Sequence, residues 1–250
     1  MIQTSKSANS RRDWFGTLKV IIQALALALI IRTFFFQAFS IPSGSMKSTL
    51  LIGDHLLVAK YSYGYSRHSF PIDLLPFSGR LFSRMPRRGD VVVFKTPEDN
   101  RTDYIKRVIG LPGDEIQVVS GILHINGAAV ERTQIEDFIE SDTSGSPKQI
   151  SRYTERLPNG VSYEVLDQAA AGPLDNTPIY RVPEGHFFMM GDNRDRSSDS
   201  RIPTGVGYVP FENLIGKAKF VFFSNGDDKP AWQIWNWPFS VRFERTFRGL

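Results

Sequence analysis

One apolar run constrains this chain more than any other feature. Between Leu18 and Ile31 the only polar residues are Lys19 and Gln23; Arg32-Thr33 interrupts, and Phe34-Phe35-Phe36 resumes the apolar character up to Phe39. A helix over Leu18 to Phe39 would be about 33 Å long, enough to cross the hydrocarbon core of a bilayer. Arg32 is costly deep in lipid, but near one interface it can extend its guanidinium to water. Lys6, Arg11 and Arg12 precede the run, which predicts a cytoplasmic N-terminus and an exported C-terminal portion. The expected organisation is a short basic segment at 1–17, an anchor at 18–39, and an extracytoplasmic domain at 40–250. Ala38-Phe39-Ser40 also satisfies the small-x-small rule of a cleaved leader. The run is long for a leader, so the uncut anchor is preferred; a buried soluble helix is the third reading.

Beyond residue 40 the pattern is that of strands and turns. Asp54 to Lys60 follows the Gly53 break, and Gly89-Asp90 leads into the β-branched run Val91 to Lys95. Tyr104 to Ile109 is stopped by Gly110-Leu111-Pro112-Gly113-Asp114, and Asn126-Gly127 predicts a tight hairpin between Ile122–Ile125 and Ala128–Val130. Residues 131–181 are more polar and read as an inserted subdomain, with a second hairpin across Asn159-Gly160. His186 to Met190 and Lys217 to Phe223 return to core-strand character. The predicted fold is mainly β: a barrel- or sandwich-like domain, a smaller hairpin-containing subdomain and one N-terminal transmembrane helix.

The net charge of +4 suits an anionic lipid surface, and an exported domain argues against a nucleic-acid partner. Tyr61 to Arg88, and a tail carrying Trp232, Trp235 and Trp237 beside Arg242, Arg245 and Arg248, read either as headgroup-layer segments or as ordinary surface. No cysteine is present, which removes thiolate catalysis, disulfides and cysteine metal sites. No metal or cofactor is expected. The acidic run Asp192 to Asp199 fails the EF-hand pattern, because Arg194 stands where an oxygen ligand is needed.

Ser45 lies just past the apolar run, in Pro42-Ser43-Gly44-Ser45-Met46. A serine hydroxyl becomes a nucleophile only when a neighbouring base takes its proton. None of His55, His68, His124 and His186 falls in a triad or metal spacing. A desolvated lysine is the other option, and Lys106, amid the apolar residues of Tyr104 to Ile109, is the best placed. From these residues alone, a lysine snorkelling from a strand remains the simpler reading.

Three segments taken in order change that balance. Pro42 to Met46 with Thr49-Leu50, Asp103 to Asp114, and Gly191-Asp192-Asn193-Arg194-Asp195 to Asp199-Ser200-Arg201 together resemble bacterial type I signal peptidases, membrane-anchored serine proteases with a Ser/Lys dyad. The resemblance runs from the anchor to about Ala218 and is diffuse over 131–181. It implies Ser45 as nucleophile, Lys106 as general base, and Ser197 orienting the lysine. It also implies an oxyanion hole from the Ser45 N–H and the Ser43 hydroxyl, with Asp199 and Arg201 bracing the loop. Substrate pockets would involve Ile41, Met46, Leu50, Tyr104 and Ile105, and the substrates would be signal-peptide-bearing preproteins. Ser48 stands where the family usually has proline, which predicts a looser segment after the nucleophile. Self-cleaving repressors share the dyad but are cytoplasmic and carry a DNA-binding domain. A noncatalytic, membrane-tethered β module that binds peptides or envelope polymers is the alternative from another class.

Overall fold

A computed structural model describes residues 6–70, 78–141, 146–168, 171–226, 235 and 237–250. Helix α1 (Lys6–Ile30) runs into a π-helical turn (Ile31–Phe35) and then directly into strand β1 (Phe36–Ser40). The stretch Trp14–Phe35 is long and apolar enough to cross a membrane, and its most apolar part is exposed, with Thr33 buried and Phe34 packed on Tyr65 and Phe70 at its end. The helix does not reach Phe39 as the apolar run predicted. Phe36 to Ser40 pair residue for residue with His55 to Ala59, so the final aromatic stretch exchanges helical bonds for a sheet ladder. Bulky aromatic residues suit a pleated strand as well as they suit lipid, and hydropathy cannot separate the two.

The remaining strands are β2 (Asp54–Ala59), β3 (Val91–Lys95), β4 (Asp103–Gly110), β5 (Glu115–Val119), β6 (Ile122–Ile125), β7 (Ala128–Ala129), β8 (Glu131–Ser141), β9 (Pro147–Arg156), β10 (Ser162–Asp167), β11 (Tyr180–Arg181), β12 (His186–Met190), β13 (Val209–Pro210), β14 (Leu214–Ser224) and β15 (Arg248–Gly249). The main sheet has the order β1-β2-β14-β3-β4-β12-β13, with β15 beside β14. Register shifts interrupt β14 against both β2 and β3, and β12 against β4. Such bulges add local twist and bend the strands. The sheet curls far enough that β1 and β4 line the same cleft.

Two smaller sheets accompany it, β10-β9-β8 and β11-β5-β6-β7. At the β6–β7 turn Asn126 and Gly127 both take positive φ, 53° and 79°, as a tight hairpin requires. Strand β8, which carried no strand signal in the sequence, pairs with β9 along most of its length. From Glu131 to Glu140 none of its side chains is buried, so neither face is marked by apolar alternation.

Three apolar clusters pack on this framework. One, with Ile41, Met46, Leu50, Val91 and Val93, lies directly beneath the Ser45 segment. A second, with Val92, Phe94, Val108 and Phe187, backs β3 and β4. Of the Trp-rich tail, Trp232 lies outside the described residues, as does 71–77 of the Tyr61 to Arg88 stretch. Trp235 and Trp237 are exposed. Two of the tail's arginines are structural: Arg245 forms a buried pair with Asp54, and Arg242 donates to the Ile52 and Asn225 carbonyls.

Candidate active site

The Ser45 segment is held by its apolar neighbours. Met46 and Leu50 are wholly buried, and Leu50 N–H donates to the Met46 carbonyl at 2.8 Å. They anchor the turn from below, as part of the core cluster beneath the cleft beside Ser45. Ile41, Tyr104 and Ile105 line that cleft.

Ser48 does not loosen this turn. It adopts φ 78°, a left-handed conformation closed to proline, and its Oγ donates to the Glu164 carbonyl of β10 at 2.9 Å. The serine ties the segment to the subdomain by a route that proline lacks.

Strand β4 brings Lys106 to this turn across 61 positions of sequence: its Nζ donates to Ser45 Oγ at 2.7 Å and to the Ile105 carbonyl at 3.0 Å. The lysine is only 3% exposed. Burial disfavours its ammonium form and brings its pKa down from 10.5 to about 8, against the opposing pull of Asp199 and Asp192. The Tyr104 ring lies 5.1 Å from the amine. The geometry therefore joins a serine hydroxyl to an amine that is substantially neutral near pH 8. Ser43 Oγ sits 3.5 Å from Ser45 Oγ, and the Ser45 N–H enters no backbone hydrogen bond among the described residues. Those two donors border one side of the hydroxyl.

The loop from Gly191 to Arg201 clamps the Ser45 turn through its backbone. Asn193 N–H donates to the Ser45 carbonyl at 3.1 Å, and Asn193 Nδ2 to the Gly44 carbonyl at 3.0 Å. This approach requires glycine at 191: a Cβ there would lie 2.6 Å from the Ser45 carbonyl oxygen and 2.2 Å from Ser197 Oγ. Ser197 is buried in the same wall, but its hydroxyl forms no hydrogen bond with Lys106. The carbonyl of Ile105 takes the place expected for it. Asp199 and Arg201 form a two-point pair at 2.9 Å for each bond, and Arg201 also donates to the Arg194 carbonyl. Burial pushes the Asp199 carboxyl up, but Arg201 outweighs it and holds it below its ordinary range.

Sequence reasoning missed two further pairs. Arg107 grips Asp192 through Nε at 2.8 Å and Nη2 at 2.6 Å, and Thr49 Oγ1 donates to the same carboxylate at 2.5 Å. Arg194 and Glu155 pair in full burial and join the loop to β9, with the Tyr163 hydroxyl donating to Glu155. A charge within an otherwise apolar strand, such as Arg107, was the available signal: it survives burial only with a dedicated partner.

The cleft beside Ser45 has a volume of about 670 Å³. Gln37 to Ser40 of β1 form one wall and Asp103 to Lys106 of β4 the other, with Arg196 and Ser198 on the rim. Among the described residues, strand β1 pairs only with β2, and β12 pairs with β4 only from Arg107 to Gly110. Both walls thus present free strand edges, which fit an extended peptide.

Comparison with known proteins places the chain in a family. Residues 14–223 match the family model described as signal peptidase, peptidase S26. Signal peptidase I of Rickettsia typhi is 41% identical over 266 residues, covering 96% of this chain and 97% of the relative. That of Rickettsia prowazekii is 41% identical over 256 residues, covering 94% and 92%. A crystal structure of a signal peptidase I from Enterococcus faecalis V583 is 28% identical, covering 54% of this chain and 97% of that one, with a TM-score of 0.32. With a family match across most of its length and relatives near 40% identity end to end, the chain belongs to the signal peptidases of peptidase family S26.

Proposed function

We propose that this protein is a membrane-bound serine endopeptidase that removes N-terminal signal peptides from exported preproteins. The single observation that carries the mechanism is the 2.7 Å hydrogen bond between the buried Lys106 amine and Ser45 Oγ. In the neutral form Lys106 takes the Ser45 proton as the oxygen attacks the scissile carbonyl. The oxyanion is stabilised by the Ser45 N–H and the Ser43 hydroxyl, and each such donor typically contributes about 3 kcal/mol. The lysinium returns its proton to the departing amine, leaving an acyl-enzyme on Ser45. Lys106 then deprotonates the water that releases the peptide.

The preprotein enters as an added strand between β1 and β4, its small side chains facing the surface formed by Ile41, Tyr104 and Ile105. Ser197 and the Asp199–Arg201 pair position the wall behind the lysine. The basic residues before the anchor put the N-terminus in the cytoplasm and the catalytic domain on the outer face of the bacterial inner membrane.

The test compares cleavage of a secretory preprotein by wild type, Ser45→Ala and Lys106→Arg in liposomes. Arginine keeps the charge but cannot act as a base near neutral pH. Activity should fall to background in both variants, and turnover surviving in either overturns the dyad.

A further inference from the structure

A second buried lysine lines a separate cavity that shares Gln37 and Asp103 with the cleft, and the reaction makes no use of it. Lys60, in the 3₁₀ turn after β2, is 2% exposed. Its amine donates to the Ser69 carbonyl and faces a cavity of about 170 Å³ lined by Arg32, Gln37, His68, Phe70, Lys95 and Asp103 among others. Lys95 and Asp103 neutralise one another at 2.7 Å. Arg32 and Lys60 remain, and neither has a carboxylate partner among the described residues. Two cations of one sign therefore converge on a small enclosed space, one of them nearly free of water. Burying a charge this way is costly unless a counter-charge is supplied. Burial and the nearness of Arg32 bring the Lys60 pKa down to about 8, and among the described residues the Asp103 carboxylate offsets only part of that cost.

Position identifies the missing anion. Arg32 sits in the last turn of the Trp14–Phe35 span, in the π-helical stretch, a geometry common at functional sites. Phe34 packs edge-on against Tyr65 and Phe70, and the Tyr65 hydroxyl donates to the Phe34 carbonyl at 2.7 Å. Tyr65 is an amphipathic aromatic of the kind that gathers at the headgroup layer. The cavity thus opens where a bilayer presents its phosphates.

We propose that Arg32 and Lys60 form a receptor for the phosphate of an anionic phospholipid from the leaflet beneath the catalytic domain. The neutral Lys95–Asp103 pair and Gln37 complete its wall. The proposal rests on the membrane-anchored reading of the chain but not on its chemistry, so its test does not use cleavage. Full-length protein in neutral detergent is treated with an amine-acylating reagent, and labelling at Lys60 is followed by mass spectrometry, with exposed Lys148 as the internal control. Phosphatidylglycerol at ten times its dissociation constant should slow Lys60 labelling about tenfold. Diacylglycerol of the same chains should leave it unchanged, and inorganic phosphate should act only at much higher concentration.

The lipid assignment is overturned by no Lys60-specific protection, by equal protection from diacylglycerol, or by inorganic phosphate matching phosphatidylglycerol. Protection by an acidic peptide in place of the lipid also overturns it, assigning the site to substrate. Arg32→Gln, at an exposed position, and Lys60→Met should each reduce phosphatidylglycerol retained in native mass spectra; retention equal to wild type in both refutes the site.

Discussion

Replacing Lys106 with methionine should make the protein more stable while abolishing its activity, and both effects have one origin. The folded protein holds this lysine with a pKa of about 8 against an ordinary 10.5. At about 1.4 kcal/mol per decade of proton affinity, that gap corresponds to about 3 kcal/mol. Below pH 8 the lysine is protonated in both folded and unfolded states, so the native state carries the full cost. Above pH 8 the native state releases the proton while the unfolded chain keeps it up to about 10.5, so wild type gains stability across that window. Methionine fills the space without the charge. It forfeits the bonds to Ser45 and Ile105, worth about 1 kcal/mol. The net gain near pH 7 is about 2 kcal/mol, or about 4–8 °C in melting temperature for a chain of this size. Thermal unfolding of the full chain in neutral detergent at pH 7 and pH 10 measures it, and the advantage should vanish at the higher pH. The same titration sets the wild-type rate: kcat/KM should rise tenfold per pH unit up to about pH 8, so that activity at pH 7 is about one-tenth of the plateau. A Lys106→Met variant that melts at or below wild type at pH 7, or a gap unchanged at pH 10, would refute the assignment of a desolvated base.

Two further outcomes test how the nucleophile turn is built. Ser48→Pro restores the family's usual residue yet should be harmful here, costing at least about 3 kcal/mol because φ 78° is closed to proline and the bond to Glu164 is lost; Ser48→Gly should melt well above it. Gly191→Ala should lower kcat about 100-fold with a smaller effect on KM, since its Cβ would meet the Ser45 carbonyl at 2.6 Å and displace the nucleophile; kcat within threefold of wild type would show that the clamp tolerates the methyl.

The limits of the sequence lie at particular residues. Strands β2 to β4, β6, β12 and β14 were legible because apolar alternation or β-branched runs ended at glycine or proline. β8 was not, because a ribbon without a buried face carries no period. The apolar run overreached at Phe36, where lipid and sheet demand the same side chains. At the site, Ser45 and Lys106 could be singled out from their surroundings, but only family resemblance joined them, since chain separation carries no distance. The Arg107–Asp192 and Arg194–Glu155 pairs went unseen because their partners come from distant strands. Met46 and Leu50 entered as pocket positions through the family resemblance, since an apolar residue beside the Ser45 segment looks the same in sequence whether it faces substrate or core.

The anchor passes into β1 without an intervening linker, and β1 is itself a wall of the cleft. Tether and template are therefore one continuous piece of backbone. At about 3.3 Å per residue, the five residues of β1 raise the cleft about 16 Å along the strand from the end of the anchor. On the proposed binding mode, a preprotein strand running alongside β1 would cover the same height, about five extended residues between bilayer and cut. The enzyme is thus built as a depth gauge. Loop insertions between Phe35 and Phe36 would alter where it cuts before they altered how fast.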